Sequence, residues 1–235
     1  MRAKAVIKAL VPPPVLHCIR QAHRGYIFRQ RMKKFLKDIE TCEQPGSAVI
    51  DDLIYGWGNE GWSASDEYIS GCIQHALNTK GPMLECGSGL STVLLGAIAK
   101  KRGMALWTLE HSTDWAEKVQ ECLQAYGIDS VTLCVTPLVD YGDFSWYDPP
   151  LDSMPSFFDL VVCDGPPGDT KGGRRGLVSI MGKWFQEGSI ILLDDGIRAD
   201  ERKTARQWQS ELNTSLEFQG RTRPYIKMKV QHQRH

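Results

Sequence analysis

The sequence predicts an α/β protein: a doubly wound, seven-stranded, mostly parallel sheet with one antiparallel edge strand, preceded by an N-terminal helical extension. Three observations predict it. From Met83 onward, short apolar runs alternate with helix-length amphipathic segments over short connections, as strands covered by helices on both faces do. Four of the apolar runs end in acids, namely Glu85, Glu110, Asp164 and the pair Asp194-Asp195. Near the C-terminus, Gly220-Arg-Thr-Arg-Pro224 joins two runs too tightly for a parallel crossover, so the chain must turn back there as a hairpin.

Taken in order, residues 15–40 read as a basic amphipathic helix, with Val15, Leu16, Ile19, Tyr26, Ile27, Met32, Phe35, Leu36 and Ile39 among arginines and lysines. Two readings stand for it: a helix packed on the main domain with a solvated cationic face, or an arm resting on an anionic membrane surface. The linker Glu43-Gln-Pro-Gly-Ser47 separates this extension, residues 1–46, from a main domain over residues 47–235. A glycine-interleaved aromatic loop follows at 55–62, with Trp57 and Trp62 as candidates to stack on a substrate. Ser63 or Ser65 caps a helix running to Asn78, with Asp66 and Glu67 in its first turn. Strands are expected near 83–87, 104–110, 130–135, 157–163 and 189–194, then at 216–219 and 225–230. Helices are expected near 92–101, 113–126, 174–186 and 199–212.

Composition narrows the function classes. At 235 residues and 42% hydrophobic, the chain has room for one substantial domain plus an appendage. Its zero formal charge hides an asymmetry: residues 1–40 carry ten Lys/Arg against Asp38 and Glu40, a net of +8, which leaves −8 on the rest. An acidic body argues against a general nucleic-acid surface. Seven cysteines without metal-ligand spacing fit a reducing cytosol, and no apolar stretch approaches a membrane span. The expected location is cytoplasmic, with residues 1–40 as the candidate contact to the inner membrane face.

The most informative stretch is Pro82-Met-Leu-Glu85-Cys-Gly87-Ser-Gly89-Leu-Ser91-Thr92. Its glycines let the backbone approach a ligand, and the helix behind them presents free N–H groups. A carboxylate at Glu85 repels a pyrophosphate but suits a cationic amino-acid end, such as that of S-adenosylmethionine. Glu110, about twenty residues on, stands where a strand-end acid holds both ribose hydroxyls. A dinucleotide site shares that acid, but the third glycine of its fingerprint falls here at Thr92.

In its motifs ECGSGLST, LWTLE, FDLVVCDGPPG and GSIILLDDGIR, and in element order over residues 47–235, the chain resembles the Rossmann-like class I S-adenosylmethionine-dependent methyltransferases. The resemblance is to the branch of catechol O-methyltransferase and related small-molecule and sugar methyltransferases. It implies that Glu85, Gly87 and Gly89 shape the methionine end of the cofactor pocket and that Ser91 contacts the methionine carboxylate. It further implies Glu110 on the ribose and the segment Thr136-Pro-Leu138 on the adenine. In the catechol enzymes an Asp ending strand four and an Asp-Asn pair ending strand five bind Mg²⁺. The matching positions are Asp164, Asp194 and Asp195, which makes these three the expected catalytic and metal-ligating residues. The chain departs from that pattern with Asp195 in place of Asn and Pro167 in place of a base lysine.

The remaining base candidates are His111 and Lys171, and Lys171, Arg174 and Arg175 are placed to meet an anionic substrate. Asp148-Pro-Pro-Leu151 imitates an amino-methylating motif but precedes the fourth strand and lacks its aromatic residue. The expected function is O-methylation of a small molecule or saccharide. An NAD-type oxidoreductase, disfavoured by Glu85 and Thr92, and a catalytically silent cofactor-binding or membrane-associated scaffold are the alternatives.

Overall fold

The computed structural model describes residues 12–42, 44–59 and 61–232; the first eleven residues of the expected basic arm lie outside them. Helix α1 (Pro13–Lys37) opens the chain, with proline in its first turn where the missing N–H has no helical partner to lose. Its first three turns are exposed, while Met32 and Phe35 in its second half are buried against the body. Helix α2 (Ala48–Trp57) packs along it, held by an Arg31–Asp52 ion pair at 2.7 Å and by Phe28 against Trp57 at 5.7 Å between ring centres. Met32, Phe35, Ile39 and Cys42 belong to the same apolar core as Val93 and Ile98 of the main domain. The boundary at residue 46 therefore divides the chain but not the core.

Helix α2 was not expected. Val49, Ile50, Leu53 and Trp57 recur at helical spacing and are all buried, so the aromatic loop begins at Gly58 rather than at Tyr55. Helix α3 (Asp66–Asn78) starts where expected, Ser65 accepting the Tyr68 N–H at 3.1 Å, with Asp66 and Glu67 in the turn where the helix dipole favours them.

Strand β1 (Met83–Cys86) leads through the glycine turn to α4 (Leu90–Arg102), then β2 (Leu106–Glu110), α5 (Thr113–Ala125) and β3 (Val131–Val135). A short hairpin, β4 (Leu138–Asp140) with β5 (Ser145–Tyr147), interrupts the alternation. Strand β6 (Leu160–Cys163), α6 (Gly176–Met181), β7 (Ile190–Leu193), α7 (Ala199–Leu212), β8 (Thr214–Gln219) and β9 (Tyr225–Val230) complete it. The sheet order is β3-β2-β1-β6-β7-β9-β8. β9 pairs antiparallel with both β7 and β8, so the antiparallel strand of the edge hairpin lies one place in from the rim.

Every residue of β1 and of β6 is buried, as expected in a sheet covered on both faces, and β1 carries Glu85 as a buried acid within its otherwise apolar run. One core layer joins α1 to α5 against the sheet, and the other joins α6, α7 and the β4–β5 hairpin against its opposite face. Among the described residues no helix is long and apolar enough to cross a membrane. Strand order reverses at β1, flanked by β2 on one side and β6 on the other, and the crevice beyond those strand ends is where such sheets bind ligands.

Candidate active site

At that reversal lies a cleft of about 570 Å³, lined by Gly87–Ser91, Glu110, His111, Trp115, Tyr147, Asp164, Asp194 and Asp195. Its volume falls within the range of small-ligand pockets, about 300–1,000 Å³. The floor is the glycine turn. Gly87 has φ +89°, and a Cβ on it would lie 2.9 Å from the Gly165 nitrogen and 3.0 Å from the Gly165 Cα. The β1 and β6 strand ends thus touch through two residues without side chains. Gly87→Ala is expected to cost about 1–3 kcal/mol from backbone strain, with more from the clash, read as a lower denaturation midpoint.

Of the three acids expected at the cofactor, Asp164 lines the cleft from β6, Glu110 meets this turn from the cleft, and Glu85 backs it from outside the cleft lining. Glu85 is fully buried behind it; its Oε2 accepts from Thr92 Oγ1 at 2.6 Å and from Thr108 Oγ1 at 2.9 Å. Thr92 Oγ1 in turn accepts the Gly89 N–H at 2.8 Å, so the threonine at the third-glycine position ties the acid to the turn. Glu85 Oε1 accepts no hydrogen bond, an orphaned buried oxygen that a cationic amino group can satisfy. Burial pushes the Glu85 carboxyl up to about 7 against the pull of the neighbouring Ser91, Thr92 and Thr108 hydroxyls. Glu110 accepts from the Ser88 N–H and Oγ on one oxygen and from the His111 and Ser112 N–H groups on the other. Trp115 Nε1 donates to Ser88 O at 2.7 Å and closes the far side of the turn. Ser91 lines the cleft as expected. Of the residues that line the cleft, Tyr147 and Arg174 each carry a buried polar atom without a partner, the hydroxyl and Nε.

The acids of β6 and β7 meet on the other side. Asp164, Asp194 and Asp195 bring one carboxylate oxygen each within 4.8 Å of one another. Asp194 is 5% exposed, and burial, with Asp164 and Asp195 adjoining, pushes it up to about 7. Burial also raises Asp164, with Asp195 adding to it and Arg174 opposing. Asp195 sits at φ +57°, an uncommon conformation for a residue with a side chain, and pairs with Arg198 at 2.9 Å.

Three site expectations change. Arg174, expected to meet substrate from a helix surface, is 2% exposed and reaches into the acid cluster from the turn Gly173–Arg175. Its Nη2 donates to Asp164 Oδ1 at 3.0 Å and to Asp195 Oδ2 at 3.1 Å. A guanidinium therefore stands among the oxygens expected to hold Mg²⁺, bonded to two of the three acids, so the cluster as a whole does not fit a divalent metal although its oxygens would. Lys171, a base and substrate candidate, points away and pairs with Asp140 at 3.1 Å, because β4 draws that segment outward. Leu138 is the first residue of β4, opposite Tyr147, and does not line the cleft.

Trp57 and Trp62 both line the mouth, but differently. Trp57 packs edge-on against Trp115, centres 6.0 Å apart, whereas Trp62 is 72% exposed. Asp148 follows β5 as an exposed residue outside the cleft. Residues that the sequence reading missed are Ser88, Thr108, Trp115 and Tyr147. Thr108 and Trp115 carry a faint signal, each near the end of β2 or the start of α5; Tyr147 carries none.

No family model and no curated protein matches the chain. Solved structures do. The SAH-bound methyltransferase PaMTH1 of Podospora anserina is 16% identical over 98% of this chain and 94% of its own, with a TM-score of 0.57. An O-methyltransferase of Bacillus cereus in complex with SAH is 14% identical over 84% and 96%, at 0.56. The precorrin-6y C5,15-methyltransferase of Geobacter metallireducens is 13% identical over 74% and 96%, at 0.53. At such identities the likeness is one of fold. The chain has the fold of the class I S-adenosylmethionine-dependent methyltransferases.

Proposed function

We propose that this protein is an S-adenosylmethionine-dependent methyltransferase that methylates a hydroxyl of a small molecule or saccharide. The observation that carries the reading is the Gly87–Gly89 turn at the strand-order reversal, with Ser91 and Glu110 lining the cleft and the buried Glu85, its Oε1 without a partner, directly behind the turn. That arrangement suits a ligand with an amino-acid end and a ribose. A pyrophosphate in this turn would meet the Glu85 carboxylate, which disfavours a dinucleotide.

When bound, the cofactor supplies a methyl group already activated on a sulfonium, and its C–S bonding pair leaves with the sulfur. The chain's residues then have three tasks. The turn and Glu85 hold the amino-acid end, Ser91 at the start of α4 adds a hydroxyl for the carboxylate, and Glu110 takes the ribose. Trp57 and Trp115 wall the cleft against water, and Trp62 at the mouth offers a face to a flat or sugar-like acceptor. Asp194 takes the proton of the attacking hydroxyl, since a carboxyl that titrates near the working pH is an effective base.

Calorimetric titration tests the cofactor. S-adenosylhomocysteine is expected to bind, and Glu110→Ala to weaken it by about 1–3 kcal/mol, the range for hydrogen bonds to an ionised group. Binding of NAD(H) with no response to S-adenosylhomocysteine would overturn the reading.

A further inference from the structure

We propose that Arg174 is a resident cation that stands in for a divalent metal, so that acceptor activation at the Asp164–Asp194–Asp195 cluster needs no metal ion. The inference rests on the methyltransferase reading for its chemistry but on the geometry of Arg174 for its substance.

Three carboxylates whose oxygens lie within 4.8 Å of one another are an unstable arrangement unless a cation joins them. Here the cation is covalently part of the chain. The Arg174 Nη2 bridges Asp164 and Asp195 and also donates to the Asp164 carbonyl. Nη1 donates to the Asp194 carbonyl at 2.9 Å and lies 3.9 Å from Glu201 Oε1 on α7. The planar fork thus ties the carboxyl ends of two neighbouring strands, β6 and β7, which a compact ammonium cannot do.

The guanidinium is held as firmly as it holds. Trp208 Nε1 donates to the Arg175 carbonyl at 3.2 Å, and Trp146 packs so closely on Gly176 that a side chain there would collide with its ring. Both indoles are fully buried. The turn carrying Arg174 therefore has little freedom to swing out and admit an ion. A divalent metal entering the cluster would meet like charge at contact distance beside the buried Arg174 guanidinium. With Arg198 meeting the same Asp195 Oδ2 that Arg174 holds, two guanidiniums stand against the three aspartates, and the face of Asp194 and Asp164 toward the cleft stays open to an acceptor.

Electron paramagnetic resonance titration of Mn²⁺ into the full-length protein, without cofactor, tests this. The wild type is expected to leave the free Mn²⁺ signal undiminished at equimolar metal. Arg174→Met, which keeps the bulk and removes the charge, is expected to bind Mn²⁺ at least about tenfold tighter, since buried repulsion is lifted. Adding Asp194→Asn to that variant is expected to abolish the gain. Arg174→Lys, which keeps the charge, is expected to keep Mn²⁺ out, and this variant decides the matter with the wild type if Arg174→Met does not fold. Stoichiometric Mn²⁺ binding by the wild type that Asp194→Asn removes would overturn the proposal, as would a folded Arg174→Met indifferent to Mn²⁺. S-adenosylhomocysteine titrated into the same samples reads separately: its failure to bind sinks the methyltransferase reading and leaves the Mn²⁺ result standing.

Discussion

Asp194→Asn is expected to lower turnover by about 10²–10⁴, the range for losing a general base, while leaving S-adenosylhomocysteine affinity nearly unchanged. The split follows from position. Asp194 ends β7 on the acceptor side of the cleft, whereas the residues poised for the nucleoside and amino acid belong to β1 and β2. The change is close to isosteric and leaves the carbonyl that Arg174 holds, so the strand ends stay tied. In the wild type, turnover is expected to rise with pH through about 7 as Asp194 ionises, and the variant is expected to lose that limb. Steady-state kinetics over pH 5–9 checks both, and an unchanged profile in the variant would remove Asp194 from the base role.

Glu85→Gln is expected to produce the largest change in stability, and one that depends on pH. The folded-state pKa of Glu85 is raised from 4.5 to about 7 by burial. Its neutral form is therefore the one the fold prefers. That contribution is fully present below the unfolded value and is lost as pH rises through about 7. At about 1.4 kcal/mol per pKa unit, the stability of the wild type relative to Glu85→Gln is expected to fall by about 3 kcal/mol between pH 4 and pH 8. Glutamine still offers an oxygen to Thr92 and Thr108, so the hydroxyl contacts survive. Denaturant unfolding of the cofactor-free protein at the two pH values reads the difference; a pH-independent difference would show that Glu85 is ionised at no cost. The same substitution is expected to weaken S-adenosylhomocysteine, because Glu85 backs the turn proposed to hold its amino-acid end, tied to it through Thr92.

These two acids also mark how far the sequence could be read. Their strands were legible because β6 and β7 are continuous apolar runs and β1 is apolar but for Glu85, as strands covered on both faces read. The Ser65 cap and the hairpin between β8 and β9 were legible because capping and turn chemistry are local, decided within four or five residues. Helix α2 and the β4–β5 hairpin were not. The first is ten residues between a Pro-Gly linker and Gly58, and the second pairs only three residues a side, so neither period repeats often enough to stand out.

The sequence by itself determined that acids from four strand ends would gather around a glycine turn, since sheet topology places every parallel strand end on one rim. The pairing of β1 with β2 then sets Glu85 opposite Thr108, with Glu110 two residues further along, beside the turn. Only the tertiary structure decided which charge joins those acids. Arg174 is ten positions from Asp164 and twenty from Asp194, and nothing local distinguishes it from Arg175, which is partly exposed beside it. Burial separates them: Trp146 and Trp208 pin the turn so that one guanidinium points inward among the carboxylates and the next points out toward Asp143. The same long-range packing withdrew Lys171 and Leu138 from the cleft and delivered Tyr147 to it. Strand ends follow from periodicity, but the direction of a side chain in a turn follows from what is packed against it.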